Sequence, residues 1–204
     1  MGEIDKDRLV ETATRIFAEL GYDGASLQMI ADATGHGIGS VHQVAATKAD
    51  LYREVMQHVH TAEDKAMEDA VARFTSDREG IKLLADAFLD FYAGHPQALA
   101  LWQHGWMGDA ADVARMDVLY VQPRSAQIAD KIRDRVPPDV DPDYLVWSVM
   151  WCVYGFLNTG AVHTSDEIPH RHAPSSAPRH TDLAGFQTFL HVMIDRLFAP
   201  PPQP

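Results

Sequence analysis

Ile38, Ser40, His42 and Gln43 set a branched aliphatic, a hydroxyl, an imidazole and a carboxamide within six positions, and Thr47 and Lys48 follow closely. At this spacing they do not make a nucleophile with its base. They are groups that read hydrogen-bond patterns. A carboxamide such as that of Gln43 pairs bidentately with N6 and N7 of adenine, a hydroxyl such as that of Ser40 meets a base edge or a phosphate, and Ile38 suits a thymine methyl. Thr47, Lys48 and the backbone amides at helix N-termini suit phosphate oxygens.

Such groups act together only if a short, well-aimed helix presents them, and the surrounding period provides one. Leu27, Ile30 and Ala31 share a face of one short helix, Gly35 breaks it, a second short helix runs from Gly37 to Val44, and Thr47 opens a third. Ser26 is placed to cap the first of these, and Thr47 with Asp50 forms an approximate capping box. The pattern is a helix-turn-helix, in which the second helix enters the major groove while the first crosses the backbone. The preceding helix, from Asp5 to Leu20, lays Leu9, Ala13, Ile16, Phe17 and Leu20 on one stripe and stops at Gly21.

The stretch ETATRIFAELGYDGASLQMIADATGHGIGSVHQ, followed by TKADLY, resembles the N-terminal domain of the TetR family of bacterial transcriptional regulators. The resemblance is specific from Leu9 to about Val59 and architectural beyond it. It implies an all-α protein, with a three-helix helix-turn-helix domain at residues 1–50 joined by a long helix to a larger helical ligand-binding and dimerisation domain at residues 51–204. It adds Gln28 to the candidate DNA contacts, and it implies a cytoplasmic homodimer paired through the helices at 144–162 and 181–198. Where the family usually shows Tyr, two variable residues and Phe-Pro, this chain reads His42, Gln43, Val44, Ala45 and Ala46.

Charge points the other way from a general nucleic-acid binder. Residues 1–57 hold five basic side chains (Lys6, Arg8, Arg15, Lys48, Arg53) against nine acidic ones, and none of Gly35 to Thr47 is Lys or Arg. Affinity that comes from neutralised phosphates is therefore expected to be weak, leaving specific contacts to do more. The whole chain of 204 residues has a net charge of −12, which also disfavours anionic membranes. The single Cys152 excludes an intramolecular disulfide. The charged start MGEIDKDR carries no secretory signal, and the apolar run Leu145–Leu157 is too short to span a bilayer.

Beyond the motif, Leu51, Val55 and Val59 mark a helix running to about Phe74, and Ile81, Leu84, Phe88 and Phe91 mark another that Gly94–Pro96 breaks. Trp102, His104, Trp106 and Met107 crowd the next short helix, which suits either the wall of an apolar ligand pocket with one polar handle or plain core packing. Pro123 must interrupt hydrogen bonding near Val121. Asp141 and Pro142 read as N-cap and N1 of a helix from Tyr144 to Val162 that is apolar nearly all round, so it must be covered twice. Thr181 is read as the cap of the last helix, ending at Phe198.

The expected ligand is a small apolar or aromatic molecule among Phe88, Trp102, Trp106, Trp147, Trp151 and Tyr154, with His104 as the handle. Between the last two helices His163, His170, His172 and His180 lie in a Pro-rich stretch without acidic or Cys partners at fixed spacing. It is read as a mobile or dimer-wrapping loop, not as a metal site. No phosphate loop or zinc motif appears, and no cofactor or enzyme chemistry is expected.

The reading is thus a ligand-responsive repressor, a homodimer whose recognition helices enter successive major grooves of operator DNA about 34 to 36 Å apart, and whose ligand favours a dimer with the wrong spacing. The alternative is a relative that has lost DNA binding and uses the apolar pocket as a small-molecule binder or adapted enzyme.

Overall fold

The computed structural model describes residues 5–111, 113, 116–160 and 182–200, and no strand occurs among them. Its α-helices are, in chain order, α1 Lys6–Gly24, α2 Leu27–Thr34, α3 Ile38–Val44, α4 Lys48–Ala72, α5 Arg78–Gly94, α6 Pro96–Trp106, α7 Gln122–Ile132, α8 Pro142–Thr159 and α9 Leu183–Leu197. A π-helical turn, Asp117–Val121, precedes α7. The chain is all-α, as the sequence implies. It forms two compact units, Met1–Ala66 with Gly94–Pro123, and Met67–Ala93 with Arg124–Pro204. The boundary expected after residue 50 falls inside α4, and α6 joins the first unit.

In the first unit, Asp5 caps α1 by accepting the Asp7 N–H at 3.1 Å. The buried row of α1 is Leu9, Ala13, Phe17 and Gly21, at the i, i+4 spacing that stacks side chains on one helical face. Leu20, expected on that stripe, is 45% exposed, because the row passes through Phe17 to Gly21 and leaves it on the flank. Gly21 adopts φ 73 and ψ 171, so α1 bends there and its last residues run on to Gly24. Phe17, Tyr22 and Tyr52 pack ring against ring, with centroids 5.1 to 6.1 Å apart. Ile30, Ala31, Val41 and Leu51 are fully enclosed and complete this small core.

In the second unit, Asp141 caps α8 through the N–H groups of Asp143 (2.8 Å) and Tyr144 (3.3 Å), with Pro142 opening the helix where no N–H is needed. Gly160, at φ 70, ends α8. Pro123 falls in the first turn of α7, where its missing N–H costs no internal bond, and the π turn takes up the break expected near Val121. Ile81, Ala85, Ala129, Ile132, Leu145, Val146, Val149 and Ile194 form a buried core. The cap of α9 is Asp182, whose carboxylate accepts the Gly185 N–H at 2.8 Å; Thr181, named for that task from the sequence, lies outside the described residues. Two contacts fasten α9 to α5, the ion pair of Lys82 with Asp195 and the hydrogen bond of His191 to Asp86, both at 2.7 Å. The histidines at 163, 170, 172 and 180 also lie outside the described residues.

Candidate functional site

The helix-turn-helix is held by three local devices. The Ser26 hydroxyl accepts the Met29 N–H at 3.2 Å and starts α2. Gly35, in the left-handed region at φ 74, ends it and turns the chain toward α3. Thr47 and Asp50 then form the expected box: the Thr47 N–H donates to Asp50 Oδ2 at 3.1 Å, and the Asp50 N–H to Thr47 Oγ1 at 3.1 Å. The Thr47 hydroxyl, which donates to Asp50 Oδ2 at 2.7 Å, holds the Asp50 carboxyl below the usual carboxylate range, and the Thr47 N–H adds to this.

Val41 anchors α3 with no exposed surface. Around it Ile38 and Ser40 are half-buried at the helix start, His42 and Gln43 are exposed, and Gln28 is exposed on α2. His42 Nδ1–H donates to the Ala46 carbonyl at 3.2 Å, so the imidazole helps fix the turn into α4. Gln28 donates to Asp32 at 2.7 Å, which holds its amide along α2.

Lys48 has a different surrounding from the one its sequence position suggested. Its ammonium donates to the carbonyls of Tyr22 (2.8 Å) and Ala25 (3.0 Å) and sits 4.2 Å from the Tyr22 ring centroid. It ties the end of α1 and the start of α2 to α4, and two of its three donors are committed there. Other cations of the unit are paired as well, Lys6 with Glu54 at 2.6 Å, Arg53 with Asp50 at 2.8 Å, and Arg15 with Glu19 at 3.6 Å. All three pairs are half-exposed, so DNA could exchange them at a cost of under about 1 kcal/mol each.

The bend at Gly21 is completed by α6 and the chain just after it. In a regular helix the Ala18 carbonyl and the Tyr22 N–H face each other one turn apart. Here His104 Nε2–H donates to the Ala18 carbonyl at 3.1 Å, and Asp109 accepts the Tyr22 N–H on Oδ2. Asp109 Oδ1 also accepts the Asp23 N–H at 2.9 Å. A carbonyl accepts only, so His104 must carry its proton on Nε2. His104, read from the sequence as a polar handle for ligand, commits this ring nitrogen to α1. Asp109 was not singled out from the sequence at all: it sits in an irregular stretch, and nothing local announces a partner eighty-odd residues away.

Asp109 also lines a cavity of about 320 Å³ in the same unit, together with Tyr52 and Met56 of α4, Leu101, Trp102, Gly105 and Trp106 of α6, and Gly108, Ala110, Ala111, Val113 and Met116. Trp102 is only 2% exposed, yet its indole N–H has no acceptor among the described residues. Burial, helped by the Asp109 charge, pushes the Tyr52 phenol up to about 12, so it keeps its proton.

Of the seven residues proposed for one ligand pocket, Trp102, His104 and Trp106 belong to the first unit and Phe88, Trp147, Trp151 and Tyr154 to the second. Trp102 and Trp106 face the cavity of the first unit. Trp147 and Trp151 line an open hollow of the second with Asp141, Asp143 and Tyr144. Phe88 and Tyr154 form a ring cluster with Tyr92, centroids 4.7 to 5.3 Å apart. Helical period shows which side chains leave a helix on one face; it does not show which faces meet. Exposed apolar side chains remain on α8 (Tyr144, Trp151) and α9 (Leu183, Phe189, Val192). No group of His, Cys, Asp and Glu side chains among the described residues could hold a metal, and no helix there is long and apolar enough to cross a membrane.

Comparison with known proteins agrees with this architecture. The sequence signature of the bacterial regulatory proteins of the tetR family matches residues 9–55. No curated protein matches the chain significantly. Among solved structures, the ketosteroid transcriptional regulator KstR2 of Mycobacterium tuberculosis is similar with a TM-score of 0.67 at 16% identity, over 98% of this chain and 97% of that one. PfmR, a TetR family regulator of Thermus thermophilus, gives 0.68 at 14% identity over 98% and 99%. AibR, solved with isovaleryl coenzyme A and operator DNA, gives 0.67 at 15% identity over 97% and 99%.

Proposed function

Residues 9–55 belong to the tetR family of bacterial regulatory proteins, and from that premise we propose that the chain is a ligand-responsive, homodimeric transcriptional repressor. The observation that carries the ligand response is the double role of Asp109, which lines the cavity and holds the Tyr22 and Asp23 amides at the entrance to the helix-turn-helix. A molecule that fits the cavity better in one position of the Gly105–Ala111 stretch shifts the population toward it, and Asp109 carries that shift to the end of α1. AibR, crystallised with both a ligand and operator DNA, supports the same pairing of sites here.

On the DNA side, Ile38, Ser40, His42 and Gln43 of α3, Gln28 of α2 and Thr47 are the proposed contacts. Lys48 acts chiefly by holding the α1–α2 corner in place. The dimer uses the exposed apolar faces of α8 and α9, since side chains such as Phe189 and Trp151, each more than half exposed, are seldom left bare together. The domains are proposed to divide the work near the start of α4, DNA contact before residue 50 and ligand and partner contact after it.

The rival, a relative that has given up DNA, draws support from the internal pairing of Lys6, Arg15, Arg53 and Lys48. Selection of bound genomic fragments at low salt, followed by mobility shift, separates the two. A two-fold symmetric site, lost on Gln43→Ala, supports the repressor; no retained sequence at any salt would falsify it.

A further inference from the structure

The cavity beside α6 has a chemistry of its own, and this inference rests on its being the ligand site. Among apolar side chains its described walls carry the Tyr52 phenol, the Trp106 indole and two further polar groups. One is the Asp109 carboxylate, the one charged side chain among the described lining residues. The other is Trp102, buried and lining, with an indole N–H that finds no acceptor among the described residues. A buried donor without a partner favours any occupant that brings an acceptor. A fixed carboxylate in the same wall repels any occupant that brings a negative charge, the more so away from water.

Size narrows the class further. An apolar cavity of about 150 Å³ takes a benzene molecule; at about 320 Å³ this one suits roughly two rings, or a chain of similar bulk. From these observations we propose that the ligand is an uncharged, mostly apolar molecule of about two rings whose single acceptor, a ketone or ester carbonyl, meets the Trp102 N–H. Asp109 disfavours free carboxylates and acyl phosphates. A cation would gain from Asp109 but lose its hydration against Met56, Leu101, Val113 and Met116, and both Asp109 oxygens already accept backbone N–H groups.

Four probes of one skeleton test this on the full-length protein by calorimetry at pH 7.5: naphthalene, 2-acetonaphthone, 2-naphthoate and 2-naphthylmethylamine. The ketone is expected to bind at least ten-fold more tightly than each of the other three. In Trp102→Phe, which keeps the ring but removes the donor, the preference for ketone over naphthalene should fall below three-fold while naphthalene itself is little changed. Retention of the ketone preference in that variant overturns the proposal, as does naphthoate or the amine matching the ketone. Met56→Trp, which fills the cavity, separates the two levels of failure. Where a charged probe binds and the filler abolishes it, the cavity is the ligand site and the neutral-ligand proposal is wrong. Where no probe binds, or the filler leaves binding intact, the ligand-site reading itself falls.

Discussion

Asp109 accepts the backbone N–H of Asp23 at 2.9 Å across 86 positions of sequence, and with its other oxygen that of Tyr22. One carboxylate thereby supplies two amides that the bend at Gly21 turns away from regular helix. The same residue forms part of a cavity wall, which is why the proposed ligand response is placed on it.

Replacing Asp109 by Ala leaves both amides without this acceptor. Unsatisfied buried donors cost about 1 to 3 kcal/mol each; since Tyr22 is half-buried and Asp23 exposed, a loss of about 1 to 2 kcal/mol in all is expected by thermal unfolding. Repression in a reporter strain should persist but stop responding to inducing molecules. Unaltered stability together with full inducibility would rule out that role for Asp109.

Lys48→Met keeps much of the stem and removes the ammonium from the Tyr22 and Ala25 carbonyls. Hydrogen bonds to charged groups are worth about 1.5 to 3 kcal/mol, and this pair is half-buried, so chemical denaturation should show a loss near the lower figure. The variant should weaken operator binding mainly by loosening the α1–α2 corner. The salt slope of binding then stays nearly unchanged, whereas loss of a direct phosphate contact would reduce it by about 0.9.

Tyr52 gives a stability change at high pH. The folded chain keeps the phenolic proton up to about 12, while the unfolded chain releases it near the ordinary 10.0. The unfolded state thus binds fewer protons within this window, and stability declines as pH rises from 10 toward 12. The loss should be of the order of 2 kcal/mol. Tyr52→Phe should remove that decline, read from denaturation midpoints at pH 9, 10.5 and 11.5.

Trp151→Glu combined with Phe189→Glu puts charge on the bare faces of α8 and α9 without entering the buried core. Sedimentation should then report a folded monomer with the helical content of the parent. A variant that stays dimeric would move the interface elsewhere.

Local chemistry was the legible part of this sequence. Ser26, Gly35, the Thr47–Asp50 pair and Asp141–Pro142 act within four residues of themselves, so their types and spacing were enough to place α2, the α2–α3 turn, α4 and α8. Pro123 likewise foretold the interruption at the π turn, though not its form. What escaped depended on distance in sequence. Trp102, Trp106, Trp147 and Trp151 look alike as helical aromatics, and only the tertiary fold assigns them to different walls. His104 and Asp109 gained their roles from a partner helix that no periodicity identifies.

Gly21 lies at the point where these constraints meet. Its φ of 73 with ψ of 171 belongs to a region that side chains scarcely enter, and an added Cβ would sit 3.0 Å from Asp109 Oδ2. That position therefore has almost no evolutionary room: each replacement would strain the backbone and crowd the carboxylate in one step. Substitutions at 104 and 109, by contrast, would alter the strength of the bonds across the bend without meeting that steric barrier.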